Sequence, residues 1–150
     1  MISTIVVPVD GSPHANAAVE WASDLALRYG ARLVLLHVIA KWQPDVYAAE
    51  ARALQRAEHG DTMEYDLLQS LGRRVVEPAE KRVRACGVKA VESVIEVGDP
   101  AETVLEQAKA VKADLIVMGR RGLGPLPGLL LGSVSSKVVH LSECACLTVK

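Results

Sequence analysis

Residues 113–136 read ADLIVMGRRGLGPLPGLLLGSVSS, and the parsing of this stretch decides the fold. ADLIVM is a short apolar run of strand length, without the polar alternation of a half-exposed strand, so both of its faces should be covered. SSKVVHL, which overlaps the end of the stretch, reads as the start of a helix. Between them lie five glycines, two prolines and a leucine triplet. A plain strand-to-helix connection needs roughly 2–6 residues, and this one is far longer. Glycine lets the backbone approach a ligand closely or adopt positive φ. Gly132 and Ser133 then open a helix whose unpaired N–H groups and positive dipole end suit an anion. Ser133, Ser135 and Ser136 add hydroxyls beside those amides. A phosphate is the natural occupant; the plain alternative is a surface loop ending in a serine-capped helix. The stretch is not a Walker A loop, because GK[ST] is absent and Lys137 falls inside the helix. Nor is it the dinucleotide fingerprint, which follows the first strand of a βαβ unit.

Working outward, TIVVPV (4–9) predicts a first strand, ending in VDGSPH with a carboxylate at Asp10 in place of a glycine cluster. Ser12 offers a helix N-cap with Pro13 at the first helical position. Ala18, Trp21, Ala22, Leu25 and Ala26 recur at helical spacing before Gly30 stops the helix. RLVLLHVI (32–39) predicts a second strand covered on both faces. From Pro44 to Gly87 the composition favours helix, with breaks or kinks expected at Gly60, Gly72 and Pro78 and an end at Gly87. AVESVIEV (90–97) alternates like an edge strand. Asp99-Pro100 repeats the cap-plus-proline start, AETVLEQAKAV continues as helix, and CLTVK (146–150) forms a fifth strand. Alternating strands and helices imply one α/β domain over residues 1–150, with a parallel sheet, helices on both faces and right-handed crossovers.

Composition narrows the function. The chain has 150 residues, suited to one core, and half of them are hydrophobic with no Phe, so Val, Leu, Ile and Ala must fill that core. Seventeen basic against eighteen acidic residues give a net charge of −1, without the basic stripe of a nucleic-acid binder. The three cysteines make no disulfide framework, the N-terminus enters a strand at once, and no apolar run approaches a membrane span. These features point to a soluble, reduced, cytoplasmic protein without membrane insertion.

The spacing Gly119-x2-Gly122-x9-Gly132-Ser133 resembles the nucleotide motif of the universal stress protein family, in its ATP-binding branch. IVVPVDGSPHANAAVEWASDLA (5–26) resembles that family's first strand and helix. VIEVGDPAETVLEQAKAVKADLIVMGRRG (94–122) resembles its third and fourth strands, and LGSVSSKVV (131–139) its final helix. The resemblance covers the whole chain and is loosest over residues 41–86. It implies an open five-stranded parallel sheet in the order 3-2-1-4-5, Rossmann-like and similar to the adenine nucleotide alpha hydrolase architecture. It also implies a homodimer through the last strand, Leu147 to Lys150, in line with the liability of an uncovered sheet edge.

Carried over by position, the resemblance makes Gly119, Gly122, Gly132, Ser133, Val134 and Ser135 the phosphate cradle. Pro8, Val9 and Asp10 would lie along the adenosine, with Asp10 near the ribose or a metal-bound water. The Val38 backbone would meet the adenine edge, and Met118 would pack near ribose and base. The implied ligand is ATP, with Mg²⁺ or Mn²⁺ on its phosphates. Two departures stand out: Cys144-Ala145-Cys146 replaces a frequent Pro-Val pair before the last strand, and Pro125 and Pro127 stiffen a loop that is often more polar.

Three functional readings follow. The first is a small dimeric ATP-binding stress or regulatory module, in which nucleotide orders the loop from Gly119 to Ser135 and changes the surface offered to an unknown protein partner. The second is a slow metal-dependent ATPase or nucleotide-processing enzyme, with Asp10 orienting water. The third is a nucleotide-independent interaction module. No Ser-His-Asp, Cys-His or paired-carboxylate arrangement is legible, so no catalytic residue and no protein-held metal is assigned. Arg120 and Arg121 are candidates to clamp phosphate, one of them facing solvent. Cys144 and Cys146 read as small core residues or, in a dimer, as half of a four-thiol site. His14, His37, His59 and His140 are scattered, and His37 reads as a hydrogen-bonded core residue.

Overall fold

The computed structural model describes residues 1–40, 61–123 and 131–150. Among them run β1 (Thr4–Pro8), α1 (Pro13–Tyr29), β2 (Arg32–Ala40), α2 (Asp61–Ala85), β3 (Val91–Gly98), α3 (Pro100–Ala110), β4 (Leu115–Gly119), α4 (Ser133–Leu141) and β5 (Ala145–Val149). The five strands form one sheet in the order β3-β2-β1-β4-β5, and every neighbouring pair is parallel. This is the α/β architecture and strand order expected. His59, Gly60, Pro125 and Pro127 lie outside the described residues.

The unalternating strands earn their apolar character from two packed faces. Ile5 and Val7 of β1, with Leu33 and Leu35 of β2, enter the core beneath α1 and α2. Val6, Val34 and Leu36 enter a second core beneath α3 and α4. All seven are fully buried, and each is worth about 1.5–3 kcal/mol of apolar transfer. β3 is an edge strand with a mixed exposure pattern, as its alternation predicted.

Both cap-plus-proline starts form. Ser12 Oγ accepts the Ala15 N–H at 3.1 Å before Pro13, and Asp99 Oδ1 accepts the Glu102 N–H at 2.9 Å before Pro100. Gly30 ends α1 in the left-handed region at φ 68°. The apolar line of α1 is narrower than its periodicity suggests: Ala18, Ala22 and Ala26 are buried, whereas Trp21 is 55% exposed. Small side chains bring the helix axis close to the sheet and leave the bulky indole at the rim.

Of the breaks or kinks expected at Gly72 and Pro78, no break occurs; α2 runs through both. A Cβ at Gly72 would overlap Ile95 Cγ2, so this glycine brings α2 down onto β3 instead of ending it. Among the described residues no helix is long and apolar enough to cross a membrane.

Candidate functional site

Strand order reverses at β1, which pairs with β2 on one side and β4 on the other. β1 leads into α1, on one face of the sheet, and β4 leads on to α4, on the opposite face. Connections that diverge this way leave a crevice at the carboxyl ends of the two strands.

On the β1 side, the Val9 N–H donates to Leu36 O at 2.8 Å, carrying the ladder one residue past the strand. Asp10 follows, half-buried, and its Oδ1 accepts the Ser12 N–H at 2.9 Å. Gly11, at φ 80°, makes that turn possible. The other carboxylate oxygen faces the far wall: a Cβ at Gly122 would sit 2.6 Å from Asp10 Oδ2.

On the β4 side, the Arg120 N–H donates to Val149 O at 2.7 Å, and the Gly132 N–H donates to Arg120 O at 2.9 Å. The two ends of the long connection are therefore clasped together. Ser135 tightens the clasp, its hydroxyl 2.8 Å from Arg120 O and 3.1 Å from Gly132 O. The Ser135 side chain is thus buried and turned inward, while Ser133 and Val134 are exposed at the start of α4. Gly132 is the N-cap residue and, having no side chain, makes no side-chain cap hydrogen bond. Its first-turn N–H groups are the positive end of an α4 with no acidic residue in that turn.

The three motif glycines differ in what demands them. A Cβ at Gly119 would come within 2.8 Å of the His14 backbone and 2.9 Å of Ala15 N, so Gly119 is needed for α1 to approach β4. Gly122 makes room for the Asp10 carboxylate. At Gly132 the nearest atoms to an added Cβ are 3.6 Å away and φ is −71°, so neither packing nor conformation requires glycine.

The remaining expected residues lie near the carboxyl ends of β1, β2 and β4. Pro8 ends β1 beside Leu36, and Val38 lies two residues further along β2. Met118 is buried under α3 and α4, beneath the crevice floor. Lys137 points away from the mouth: its Nζ lies 3.1 Å from Glu102 Oε1 and 3.5 Å from Asp99 Oδ1, tying α4 to the start of α3. Glu102 chiefly, with Asp99, holds the Lys137 ammonium above its ordinary range. His37 is the core residue expected, its Nδ1 2.8 Å from Val9 O.

The sequence pattern gives His14 no role in the site. At the second position of α1 its side chain stands against Gly119, a placement that the Ser12-Pro13 cap could have signalled. His14 Nδ1, His37 Nε2 and Arg120 Nε are buried and make no hydrogen bond among the described residues, and all belong to residues at this end of the sheet. Buried polar atoms are normally partnered, so these three are available to a polar ligand. The donor set fits a phosphorylated ligand: helix N–H groups and Arg120 for the anion, Asp10 for hydroxyls. Among the described residues no three His, Cys, Asp or Glu side chains converge.

Comparison with known proteins agrees with this fold. The model of the universal stress protein family matches residues 1–150. A universal stress protein of Thermus aquaticus is 38% identical, with each chain covered completely. The solved structure of hypothetical protein MJ0577 superposes with a TM-score of 0.78 at 27% identity, covering 100% of this chain and 96% of the other. A universal stress protein solved in complex with cAMP gives a TM-score of 0.69 at 30% identity, covering 99% and 97%. Spanning the whole family pattern with its fold intact, the chain belongs to the universal stress protein family.

Proposed function

We propose that this protein binds ATP in the crevice between β1 and β4 and works as a nucleotide-dependent regulatory module. The observation that carries the reading is the uncapped start of α4, headed by a glycine that the protein's own packing does not need. The N–H groups of Ser133, Val134 and Ser135 receive the phosphates, and Gly132 leaves them room. Arg120 supplies positive charge. Asp10 accepts from the ribose, Pro8 and Val9 line the adenosine, and the Val38 backbone meets the adenine edge above Met118. Gly119 and Gly122 set the width of the crevice. A relative that binds cAMP supports the adenine class of ligand.

Mg²⁺ or Mn²⁺, when bound, neutralises phosphate charge, with Asp10 in reach of its water shell. In our reading the site holds the nucleotide, and among the described residues no side chains are set as a paired acid and base. β5 is a sheet edge, and in our reading it joins a second copy of the chain in a cytoplasmic homodimer.

Calorimetric titration of nucleotide-stripped protein with ATP, ADP, AMP and cAMP, with and without Mg²⁺, tests the proposal. Affinity should fall as phosphates are removed and weaken with salt. Equal affinity for ATP and AMP would remove the helix mouth as the phosphate site, and no binding by folded protein would refute the whole reading.

A further inference from the structure

Cys144 and Cys146 take no part in the crevice. They flank the first residue of β5, Ala145, and both pack against the core beneath α3 and α4. Two residues apart along an extended chain, their Cα atoms are separated by about 6.6 Å, inside the disulfide range of about 4.4–6.8 Å. Both pack on the same core, so the two side chains share one side of the sheet, and Cys146 Sγ lies 3.8 Å from Cys144 O. Cys146 is within the β4–β5 ladder, opposite Ile116, whereas Cys144 precedes it. Cys144 can therefore turn without breaking that ladder.

The surroundings distinguish the two. Cys144 lines an open groove of about 470 Å³ between α3 and the start of β5. Lys109 and Lys112 line the same groove, together with Glu106 and Glu143. Glu143 lies 3.6 Å from Lys109, while Lys112 has no ion-pair partner among the described residues. Ser142 Oγ stands 3.4 Å from Cys144 Sγ, and the Cys144 N–H donates to the same hydroxyl at 3.2 Å. A half-buried thiol that lines an open groove, with a hydroxyl beside it, is within reach of a small oxidant. Burial holds the Cys146 thiol above its ordinary range, which makes it the weaker of the two for the first attack. With no third His, Cys, Asp or Glu converging among the described residues, a thiol reaction fits better than a metal site within one chain.

We infer that Cys144 and Cys146 form a peroxide-reactive thiol pair, with Cys144 attacking from the groove and Cys146 resolving it as an intramolecular disulfide. In the first step Cys144 Sγ, as thiolate, attacks one peroxide oxygen. The S–O bond forms, the O–O bond breaks, and the leaving hydroxide or alkoxide takes a proton. The sulfur is oxidised by two electrons to the sulfenic acid. In the second step Cys146 gives its proton to solvent and attacks Cys144 Sγ. The S–S bond forms, the S–O bond breaks and hydroxide leaves as water. Two thiols and one peroxide thus give one disulfide and two waters, or water and an alcohol. This chemistry is independent of the nucleotide reading.

The full chain, freed of reductant and treated with hydrogen peroxide, tests the inference by peptide mapping under non-reducing conditions. The peptide carrying both cysteines should lose two hydrogen atoms, while exposed Cys86, which has no neighbouring cysteine in the chain, serves as the internal reference. In Cys146→Ser a sulfenic-acid trap should label residue 144, and in Cys144→Ser the intramolecular disulfide should vanish. The wild-type mapping requires no substitution, so a poorly folding variant leaves it decisive. The inference is overturned if both thiols stay reduced at doses that oxidise Cys86. It is equally overturned if Cys144 pairs with a second copy, or passes to the sulfinic acid without forming a disulfide.

Discussion

Alanine at each motif glycine should separate fold from ligand. At Gly119 the new Cβ would lie 2.8 Å from both the backbone carbon and the Cβ of His14, and 2.9 Å from Ala15 N. These partners belong to the first turn of α1 and cannot swing aside, so the helix must shift. Overpacking of this kind costs roughly 1–3 kcal/mol, a fall of roughly 2–12 °C in melting temperature for a chain of this size. At Gly132 the nearest contact is 3.6 Å and φ is already negative. The weaker N-cap costs at most about 1 kcal/mol, partly offset by about 0.4–1 kcal/mol from a less flexible unfolded chain. Melting should then move by no more than about 2–4 °C, while the methyl group stands where phosphate would approach the helix. ATP affinity should drop at least about tenfold, or 1.4 kcal/mol. Gly122→Ala falls between, because its Cβ meets only the movable end of Asp10 at 2.6 Å. The carboxylate rotates, Oδ1 leaves Ser12, and affinity falls more than stability does. Thermal melts and titration calorimetry on the same preparations supply both numbers. Unchanged ATP affinity in well-folded Gly132→Ala would refute the phosphate assignment. A melt as damaged as that of Gly119→Ala would show that Gly132 is structural.

Two further outcomes follow from the hydrogen bonds. Ser135→Ala removes the hydroxyl that clasps Arg120 O and Gly132 O; it should cost about 1–3 kcal/mol and weaken ATP binding. Retention of both values would place the clasp elsewhere. Asp114 accepts from the Ser3 N–H, the Ser3 hydroxyl and the Thr4 N–H, and the Ser3 N–H contributes most to holding its carboxylate below the ordinary range. A depressed folded pKa gives stability that is present above the unfolded value, about 3.9, and lost as pH falls through the folded value. Asp114→Asn should thus be less stable than wild type near neutral pH, with the gap closing below about pH 4; parallel acid-unfolding curves would count against it.

Much of the fold is legible in local pattern. Ser12-Pro13 and Asp99-Pro100 start helices because a cap acts on an N–H three residues on, within reach of the sequence itself. The unalternating RLVLLHVI run reads as a doubly covered strand because each side chain's face follows from its parity. Gly72 defeats that local logic: a glycine weakens an isolated helix, but here its missing side chain admits Ile95 from another element. Trp21 defeats it too, since periodicity names a face without saying how wide the contact is.

The candidate site divides in the same way. By itself the sequence determined the element order, the position of the glycine-rich connection after β4 and the family pattern, all of them properties of neighbouring residues or spacing. Tertiary structure alone decided that Gly119 serves the approach of α1, that Gly122 clears Asp10, that Ser135 turns inward to clasp Arg120, and that His14 enters the crevice wall. The longest of these contacts join residues more than a hundred positions apart in the chain. Their geometry exists only once the parallel sheet has brought β1 against β4, because a side chain's role depends on which atoms fill the space around it.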